Sequence, residues 1–241
     1  MEKKSVSEYD WRLQAITTLT ADVISPYGTP MKKGEPVVLI HLLKVKGVEV
    51  NIITPNPTAM FLNLSNVSYA QSIKLFNFNE LLNNNFDEKD YFNSLEYYMA
   101  SIIFAFIALE TFANYSIPDL YEFKKLREDK KCFEIYDKEK IEKNINLDIK
   151  LGEILPEVFN ITSFKGTSLW EEYIDLKRIR DRLIHLKTID TEYHRTGDPY
   201  NHLWNDLINN GEIINYSIKA KKIIEYFLKN KKPRWLIECP F

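Results

Sequence analysis

Residues 170–187 read WEEYIDLKRIRDRLIHLK. Apolar side chains recur in this stretch every three or four positions, a spacing that predicts an amphipathic α-helix: Trp170, Tyr173, Ile174, Leu176, Ile179, Leu183 and Ile184. The opposite face is basic and carries Lys177, Arg178, Arg180, Arg182, His185 and Lys187. This helix combines a core-forming face with a face suited to an anionic ligand.

A second, more apolar helix is predicted upstream, where residues 99–118 read MASIIFAFIALETFANYSIP. It is expected to run from about Tyr91 to Tyr115, because Pro118 disfavours helix in the residue before it. Glu110 and Asn114 are polar exceptions on its surface. We expect the two helices to form one site. Its aromatic residues are expected to be core or a dimer seam, not a base-stacking platform: Tyr91, Phe92, Tyr97, Tyr98, Phe104, Phe106 and Phe112.

The composition is that of an ordinary globular chain. The 241 residues are 45% hydrophobic and 27% charged, with a formal net charge of -2. A protein that coats nucleic acid would be strongly basic, so any nucleic-acid contact must come from a local patch. Only seven glycines are present, which argues against a glycine-rich nucleotide-binding architecture. Three arginines within five positions, residues 178–182, are therefore a departure from the background.

The sequence favours a cytoplasmic protein with no membrane association. The N-terminal residues lack the apolar segment of a signal peptide. The most apolar run, residues 97–109, is shorter than the ~20 residues that span a bilayer. The two cysteines, Cys132 and Cys239, have no metal-ligand spacing and are expected to be free thiols.

Residues 1–85 are predicted to form a small antiparallel β module. Residues 9–25 and 36–45 show strand patterns, and Lys46-Gly47 is expected to turn the second strand into a third at 48–53. Residues 67–78 are expected to add a fourth strand. A polar and acidic run near residue 85 then separates this module from a helical part at 86–241, which gives an α+β fold.

The helical part has several predicted start and stop signals. Asp87 or Asp90 can cap the helix that follows. Residues 119–127 are expected to form another helix. Thr167 or Ser168 can cap the basic helix, with Glu171 completing a capping box with Ser168. Short and long helical segments are expected at 202–208 and 213–228, separated from the basic helix by a loop.

Arg180 and His185 suit the cleavage of an RNA phosphodiester. A neutral imidazole can take the proton from a ribose 2′-OH, and a guanidinium can stabilise the charge that develops on the phosphorane. Asp181 lies four residues before His185, so it can share its helix face and hold the imidazole in one tautomer. The attacking group belongs to the RNA itself, so no metal is needed.

This pattern resembles the signature of the HEPN superfamily, in which four to six residues separate an Arg from the His that follows it. A polar residue often follows the Arg in that family, and Asp181 does so here. The run Ala108-Leu109-Glu110-Thr111-Phe112-Ala113-Asn114 also resembles a core helix of several HEPN families. The resemblance covers roughly residues 90–230. It implies an all-α bundle that dimerises, with the two Arg–His pairs meeting at the interface.

The resemblance implies a role for each residue of the motif. His185 would be the catalytic base, Arg180 the transition-state binder and Asp181 a polar supporter, with Glu110 and Asn114 supporting from the neighbouring helix. Arg178 also lies within the family spacing, but Ile179 follows it, so Arg180 is preferred. The other basic residues are either a solvated face or RNA contacts: Lys177, Arg178, Arg182 and Lys187. Glu110 has a second interpretation, in which it neutralises a buried arginine.

The function predicted from these residues is a metal-independent endoribonuclease without cofactor. It would act as a homodimer in a toxin–antitoxin or antiviral-defence setting, with any antitoxin on a separate chain. The alternative is a catalytically silent HEPN module that binds RNA, a nucleotide or a protein partner. A structural homo-oligomer with no site is a third interpretation.

Overall fold

The structure is a computed structural model that describes residues 8–25, 28–76, 78–83, 86–127, 132–187, 190, 202–208, 212–229 and 231–241. It is an α+β fold, as predicted. The chain divides into two compact units, Met1–Met60 with Lys232–Pro240 and Phe61–Lys231 with Phe241. The first unit ends before residue 85 because the segment expected to be a fourth strand is helical.

The first unit contains three small antiparallel pairs of strands. The strands are β1 Ile16–Thr18, β2 Val23–Ile24, β3 Pro30–Met31, β4 Pro36–Val38, β5 Ile40–Val45 and β6 Val48–Ile53. β1 pairs with β4, β2 with β3, and β5 with β6. The expected strand at 9–25 is thus two short strands, and the one at 36–45 is interrupted at Leu39.

The predicted hairpin turn at Lys46-Gly47 is confirmed, with Val45 opposite Val48. Lys46 and Gly47 have φ values of 50° and 85°, and a two-residue type I′ turn requires positive φ at both positions. Both faces of this hairpin are exposed, with Leu42 at 64% and Val48 at 63%. The unit also holds the short helix Arg234–Ile237, where Arg234 donates to the carbonyls of Tyr9 and Asp10 at 2.6 and 3.1 Å.

Helix α1, Pro57–Leu75, replaces the strand predicted at 67–78, so that prediction was wrong. Asn56 accepts a hydrogen bond from the Ala59 N–H at 2.9 Å, and Pro57 occupies the first helical position. Proline is favoured there because its missing N–H would have no partner in the helix. The Asn-Pro pair that suggested the end of a strand is instead the start of a helix.

The remaining helices form the second unit. They are α2 Phe78–Leu82, α3 Glu88–Ser116, α4 Lys138–Asn144, α5 Leu147–Ile149, a π-helical turn Lys150–Ile154, α6 Leu155–Phe159, α7 Ser168–Ile184, α8 Leu203–Leu207 and α9 Tyr216–Leu228. The helices predicted at 91–115, 170–187, 202–208 and 213–228 are confirmed as α3, α7, α8 and α9. Asp87 caps α3 through the Asp90 N–H at 2.9 Å.

One predicted helix and one predicted capping box were wrong, whereas Thr167 is confirmed as one of the two predicted caps. Strands β7 Phe123–Arg127 and β8 Cys132–Tyr136 form an antiparallel hairpin where a helix was expected at 119–127. Leu120, which the helix pattern counted as apolar, is 96% exposed and contributes to no apolar face. Thr167, not Ser168, caps α7 by accepting from the Trp170 N–H. Glu171 therefore lies one position beyond that required for a capping box.

Helices α3, α7 and α9 contact one another around the core of the second unit. The core side chains have almost no solvent exposure and include Tyr98, Ile102, Leu109, Leu151, Tyr173, Leu176 and Ile223. Helix α1 approaches α3 closely through small residues, since Ser65 donates to the Ser101 carbonyl at 2.8 Å. Phe92 and Tyr97 lie outside this core, at 58% and 43% exposed, where the sequence offered a dimer seam as their other role.

Helix α3 is long and apolar enough to cross a membrane by length and composition alone. Half of its most apolar 18-residue window is buried inside the protein. The window has 18 residues. The apolar run 97–109 is shorter because it was counted only between Glu96 and Glu110.

Candidate functional site

The predicted site lies where α3 and α7 face each other. On α3, Phe106, Glu110 and Asn114 are four residues apart and therefore share one face. Phe106 contacts Arg180, and the Glu110 charge acts on Tyr173, which lies earlier in α7. The two helices therefore run in opposite directions here. Arg180 and Glu110 therefore belong to the facing sides of α7 and α3.

Arg180 is held as a flat cation against an aromatic ring. Its Cζ atom lies 4.3 Å from the centroid of Phe106, a geometry that favours cation–π attraction. Its Nη1 donates to Asp181 Oδ1 at 2.8 Å, and the side chain is 27% exposed. Within the described ranges its Nε and Nη2 have no hydrogen-bond acceptor. Those N–H groups remain available to an anionic ligand.

His185 is the C-cap of α7 and is exposed. Its backbone N–H donates to the Asp181 carbonyl at 2.9 Å, while its φ and ψ of -119° and 66° end the helix. Its ring makes no hydrogen bond to any part of the chain that the structure describes. The Asp181 carboxylate pairs with Arg180 and does not hold the imidazole, because the backbone leaves the helix at His185.

Asn114 lies against a buried lysine that the sequence gave no reason to single out. Lys150 is 1% exposed, and its Nζ donates to Asn114 Oδ1 at 2.8 Å and to the Glu142 carbonyl at 3.1 Å. Burial lowers the pKa of Lys150, and the nearby charges of Glu110 and Glu142 oppose that change. Glu110 and Asn114 thus surround a buried cation, which is a lysine and not one of the arginines.

Lys150 begins the π-helical turn 150–154. Such turns are rare and frequently occur at functional sites. Tyr173 lies on the same side of the seam, and its hydroxyl donates to Asp148. Burial, followed by this hydrogen bond, raises the pKa of Tyr173. Two separate polar groups thus lie near Glu110, whose charge acts on both: Tyr173 with Asp148, and Lys150 with Asn114.

Three of the four predicted RNA contacts are paired with carboxylates. Lys177 pairs with Asp148. Arg178 pairs with Asp206 at 2.6 Å and with Asp175 at 3.2 Å, and Arg182 pairs with Asp190 and Asp206. Lys187 is exposed, and its amino group has no ion-pair partner among the described residues. Among the described residues the unpaired cation of this helix end is therefore Lys187, since Arg180 also pairs with Asp181 at 2.8 Å. Arg180 keeps Nε and Nη2 without an acceptor in the described part of the chain, whereas both terminal nitrogens of Arg178 are engaged, which favours Arg180 as the acting arginine.

Asp190 is the most buried of these carboxylates, with a side chain that is 0% exposed. Besides Arg182, it accepts from the Leu203 N–H at 2.7 Å and from the Lys187 N–H at 3.2 Å. Burial alone would raise the pKa of Asp190, but the hydrogen bonds and the Arg182 charge outweigh it and lower the pKa. Asp190 thereby connects the end of α7 to the start of α8. Its role could not be found from sequence, because Asp190 stands in a segment without helical periodicity.

Among the described residues, no group of three or more His, Cys, Asp or Glu side chains is placed to hold a metal ion.

The buried charge of Lys150 leads to a pH-dependent prediction. An unfolded lysine holds its proton up to about pH 10.4, whereas folded Lys150 loses it at lower pH. In that window the unfolded state binds more protons, so the stability of the folded state rises with pH. We expect the wild type to gain stability relative to Lys150→Met as pH rises towards about 10, the pKa of an unfolded lysine.

Urea unfolding of both proteins across this range measures the difference, and effects of tyrosine ionisation cancel in the comparison. Lys143→Met is the matched control, since Lys143 is 68% exposed and pairs with Glu139 on the surface of α4. A wild-type-minus-Lys150→Met difference that is flat with pH would contradict the prediction.

No family model, no curated protein and no solved structure matches the chain.

Proposed function

We propose that the protein is a metal-independent endoribonuclease of the HEPN type, acting on RNA in the cytoplasm as a homodimer. The observation that supports this most is the end of α7. There Arg180 lies over the ring of Phe106 with N–H donors that have no acceptor in the described part of the chain, and the exposed His185 follows at the C-cap. A toxin–antitoxin or phage-defence setting, with a separate antitoxin chain, is part of the same proposal.

In the proposed reaction His185 takes the proton from the ribose 2′-OH. The 2′ oxygen attacks the adjacent phosphorus, the bond to the 5′ oxygen breaks, and the leaving oxygen takes up a proton. The products are a 2′,3′-cyclic phosphate and a 5′-OH. Arg180 donates N–H groups to the non-bridging oxygens, where charge develops in the transition state. The test is cleavage of a mixed RNA pool in excess EDTA, with wild type compared with His185→Ala and the product ends analysed.

The ion pairs of Lys177, Arg178 and Arg182 favour one alternative, a catalytically silent HEPN-like module that binds a nucleotide or a protein partner more readily than RNA. Neutralised cations contribute little to RNA affinity, because the attraction to phosphate depends on the net charge of the patch. Binding that survives His185→Ala, with no cleavage by the wild type, would identify this function. If neither binding nor cleavage is sensitive to Arg180 or His185, the structural homo-oligomer is supported instead.

Lys187 provides a specific prediction for either RNA-dependent function. Its amino group is open, so it is expected to neutralise one phosphate. Replacing it with alanine is expected to reduce the slope of log affinity against log salt by about 0.7, the value for one contact to a single strand. Fluorescence anisotropy of a labelled RNA over a salt series measures this slope. Lys143→Ala is the control and should leave the slope unchanged; an equal change in both variants would refute a local contact at Lys187.

A further inference from the structure

A pocket of about 440 Å³ opens beside the N-terminal half of α3. Its lining is almost entirely apolar and aromatic, with a single carboxylate: Tyr91, Phe92, Leu95, Glu96, Met99 and Trp204. Phe92 is 58% and Trp204 is 36% exposed. Large aromatic side chains are therefore presented to solvent around a concavity, although the sequence had suggested that the aromatic residues of α3 were core.

The aromatic walls of this pocket are held in place. The indole N–H of Trp204 donates to the Asp190 carbonyl at 3.2 Å, and the Asp190 carboxylate is paired with Arg182. On the other side, the rings of Tyr91 and Phe92 have centroids 5.8 Å apart. Arg182, predicted as an RNA contact, thus supports a wall of this pocket through Asp190. Fixed aromatic faces of this kind stack well on nucleic-acid bases.

Glu96 supplies the polar group of the pocket. It is exposed, and its carboxylate has no hydrogen-bond or ion-pair partner within the described part of the chain. An ionised carboxylate offers two acceptors and no donor, so it is complementary to a ring edge with two adjacent N–H donors. Guanine has such an edge, formed by N1–H and the N2 amino group. Adenine and cytosine place a ring acceptor beside their amino group, and uracil places a carbonyl on each side of its N–H.

The pocket lies in line with Arg180 along α3. Phe92, Met99 and Phe106 are spaced by seven residues, so they lie on nearly the same face of the helix. Met99 is two turns from Phe106, a distance of about 10 Å along the axis. Phe106 in turn contacts the Arg180 guanidinium. An RNA strand whose phosphate is bound by Arg180 can therefore place a nearby base in the pocket.

We propose that this pocket binds an unpaired guanine base of the RNA substrate, with Glu96 reading its N1–H and N2 edge and Phe92 and Trp204 packing on its rings. This inference rests on the proposed function, because the guanine belongs to the RNA that the proposed enzyme cleaves. It makes the enzyme selective for single-stranded RNA with a guanine near the scissile phosphate. Free guanine nucleotides carry the same edge, so they serve as the probe.

The first experiment is calorimetric titration of the full-length protein with GMP, AMP, CMP and UMP. We expect GMP to bind at least tenfold more tightly than the other three, and Glu96→Gln to remove this preference. Glu88→Gln is the matched control, because Glu88 is an exposed glutamate of the same helix outside the pocket. Trp204→Ala should weaken GMP binding with its circular dichroism spectrum unchanged.

The second experiment maps cleavage sites on a random-sequence RNA. In the wild type we expect cleavage sites to be enriched at a fixed distance from guanine, and in Glu96→Gln we expect them to be distributed evenly. This result would show that the pocket binds a base of the RNA and not a free nucleotide. Tight GMP binding with cleavage indifferent to guanine would overturn the assignment to RNA.

Three results would reject the pocket assignment itself. One is equal binding of all four nucleotides. Another is preferential binding of choline, which would identify an aromatic cage for a cation. The third is a monomer produced by Phe92→Ala from a dimeric wild type, which would identify the surface as a seam between copies. RNA cleavage without a guanine preference would leave the proposed function standing, whereas GMP selectivity without cleavage would remove that function and retain the site.

Discussion

Replacing His185 with alanine is expected to reduce RNA cleavage in excess EDTA by about 10²–10⁴-fold, the usual contribution of a positioned general base. Arg180→Ala is expected to lose about 10²–10³-fold, as for removal of one donor from an oxyanion site. His185 is exposed, so its replacement should not disturb the core. Arg180→Ala uncovers the buried ring of Phe106, so its fold is checked by circular dichroism. The measurement is initial rate on a mixed RNA pool, with product ends identified by mass spectrometry.

His41→Ala is the matched control for the histidine, because His41 is exposed on the β5–β6 hairpin of the other unit. It should cleave at the wild-type rate. Products that carry 2′,3′-cyclic phosphate in the wild type and disappear in His185→Ala would support the reaction described above. Full activity in His185→Ala, with the same product ends, would exclude His185 as the base.

The second large effect is expected at Asp190. Asp190→Ala removes a fully buried partner of Arg182 and leaves the Leu203 and Lys187 N–H groups without their acceptor. Breaking one side of a buried ion pair typically costs about 3–5 kcal/mol. We expect a loss of that size in the free energy of unfolding, measured by urea denaturation.

Asp119→Ala is the comparison, since Asp119 is 89% exposed and pairs with Lys138 at 2.7 Å. Exposed pairs contribute about 0–1 kcal/mol, so this variant should be near wild type. The lowered pKa of Asp190 adds a pH test. Its stabilisation is present above the unfolded pKa and is lost as pH falls through the folded pKa. Wild type should therefore approach Asp190→Ala in stability on acidification, and a constant difference down to about pH 2 would contradict this account.

The sequence predicted the strongly periodic helices well. Helices α3 and α7 begin and end within a few residues of the expected positions, because their apolar spacing and their caps at Asp87 and Thr167 act locally. The Lys46-Gly47 turn was predictable for the same reason. The prediction of a strand at 67–78 was wrong because the alternation of polar and apolar residues there is weak. Asn56-Pro57 starts a helix that extends to Leu75. The helix predicted at 119–127 was wrong because the strand β7 in that segment is stabilised by pairing with β8, which lies beyond residue 127.

The candidate site was predictable only in part. Arg180 and His185 stand close together in the sequence, and Glu110 could be placed on the neighbouring helix. The acids that neutralise Arg178 and Arg182 are up to 28 residues distant, and no local pattern assigns Asp206 to them. Lys150 is similar, since its partner Asn114 is 36 residues away. Long-range electrostatics determined which cations remain open, and a single sequence does not encode that pairing in any readable spacing.

The first unit is assembled from two separated stretches of chain, 1–60 and 232–240. Ribosomes add about 5–20 residues per second, so on the order of ten seconds pass between synthesis of Met60 and synthesis of Arg234. Until then the Tyr9 and Asp10 carbonyls lack the donors that Arg234 provides. Translation therefore imposes an order of assembly, in which residues 61–231 of the helical unit, including Arg180 and His185, are synthesised before Arg234 can complete the β unit. The surface that carries Arg180 and His185 is therefore synthesised in full before the other unit is complete.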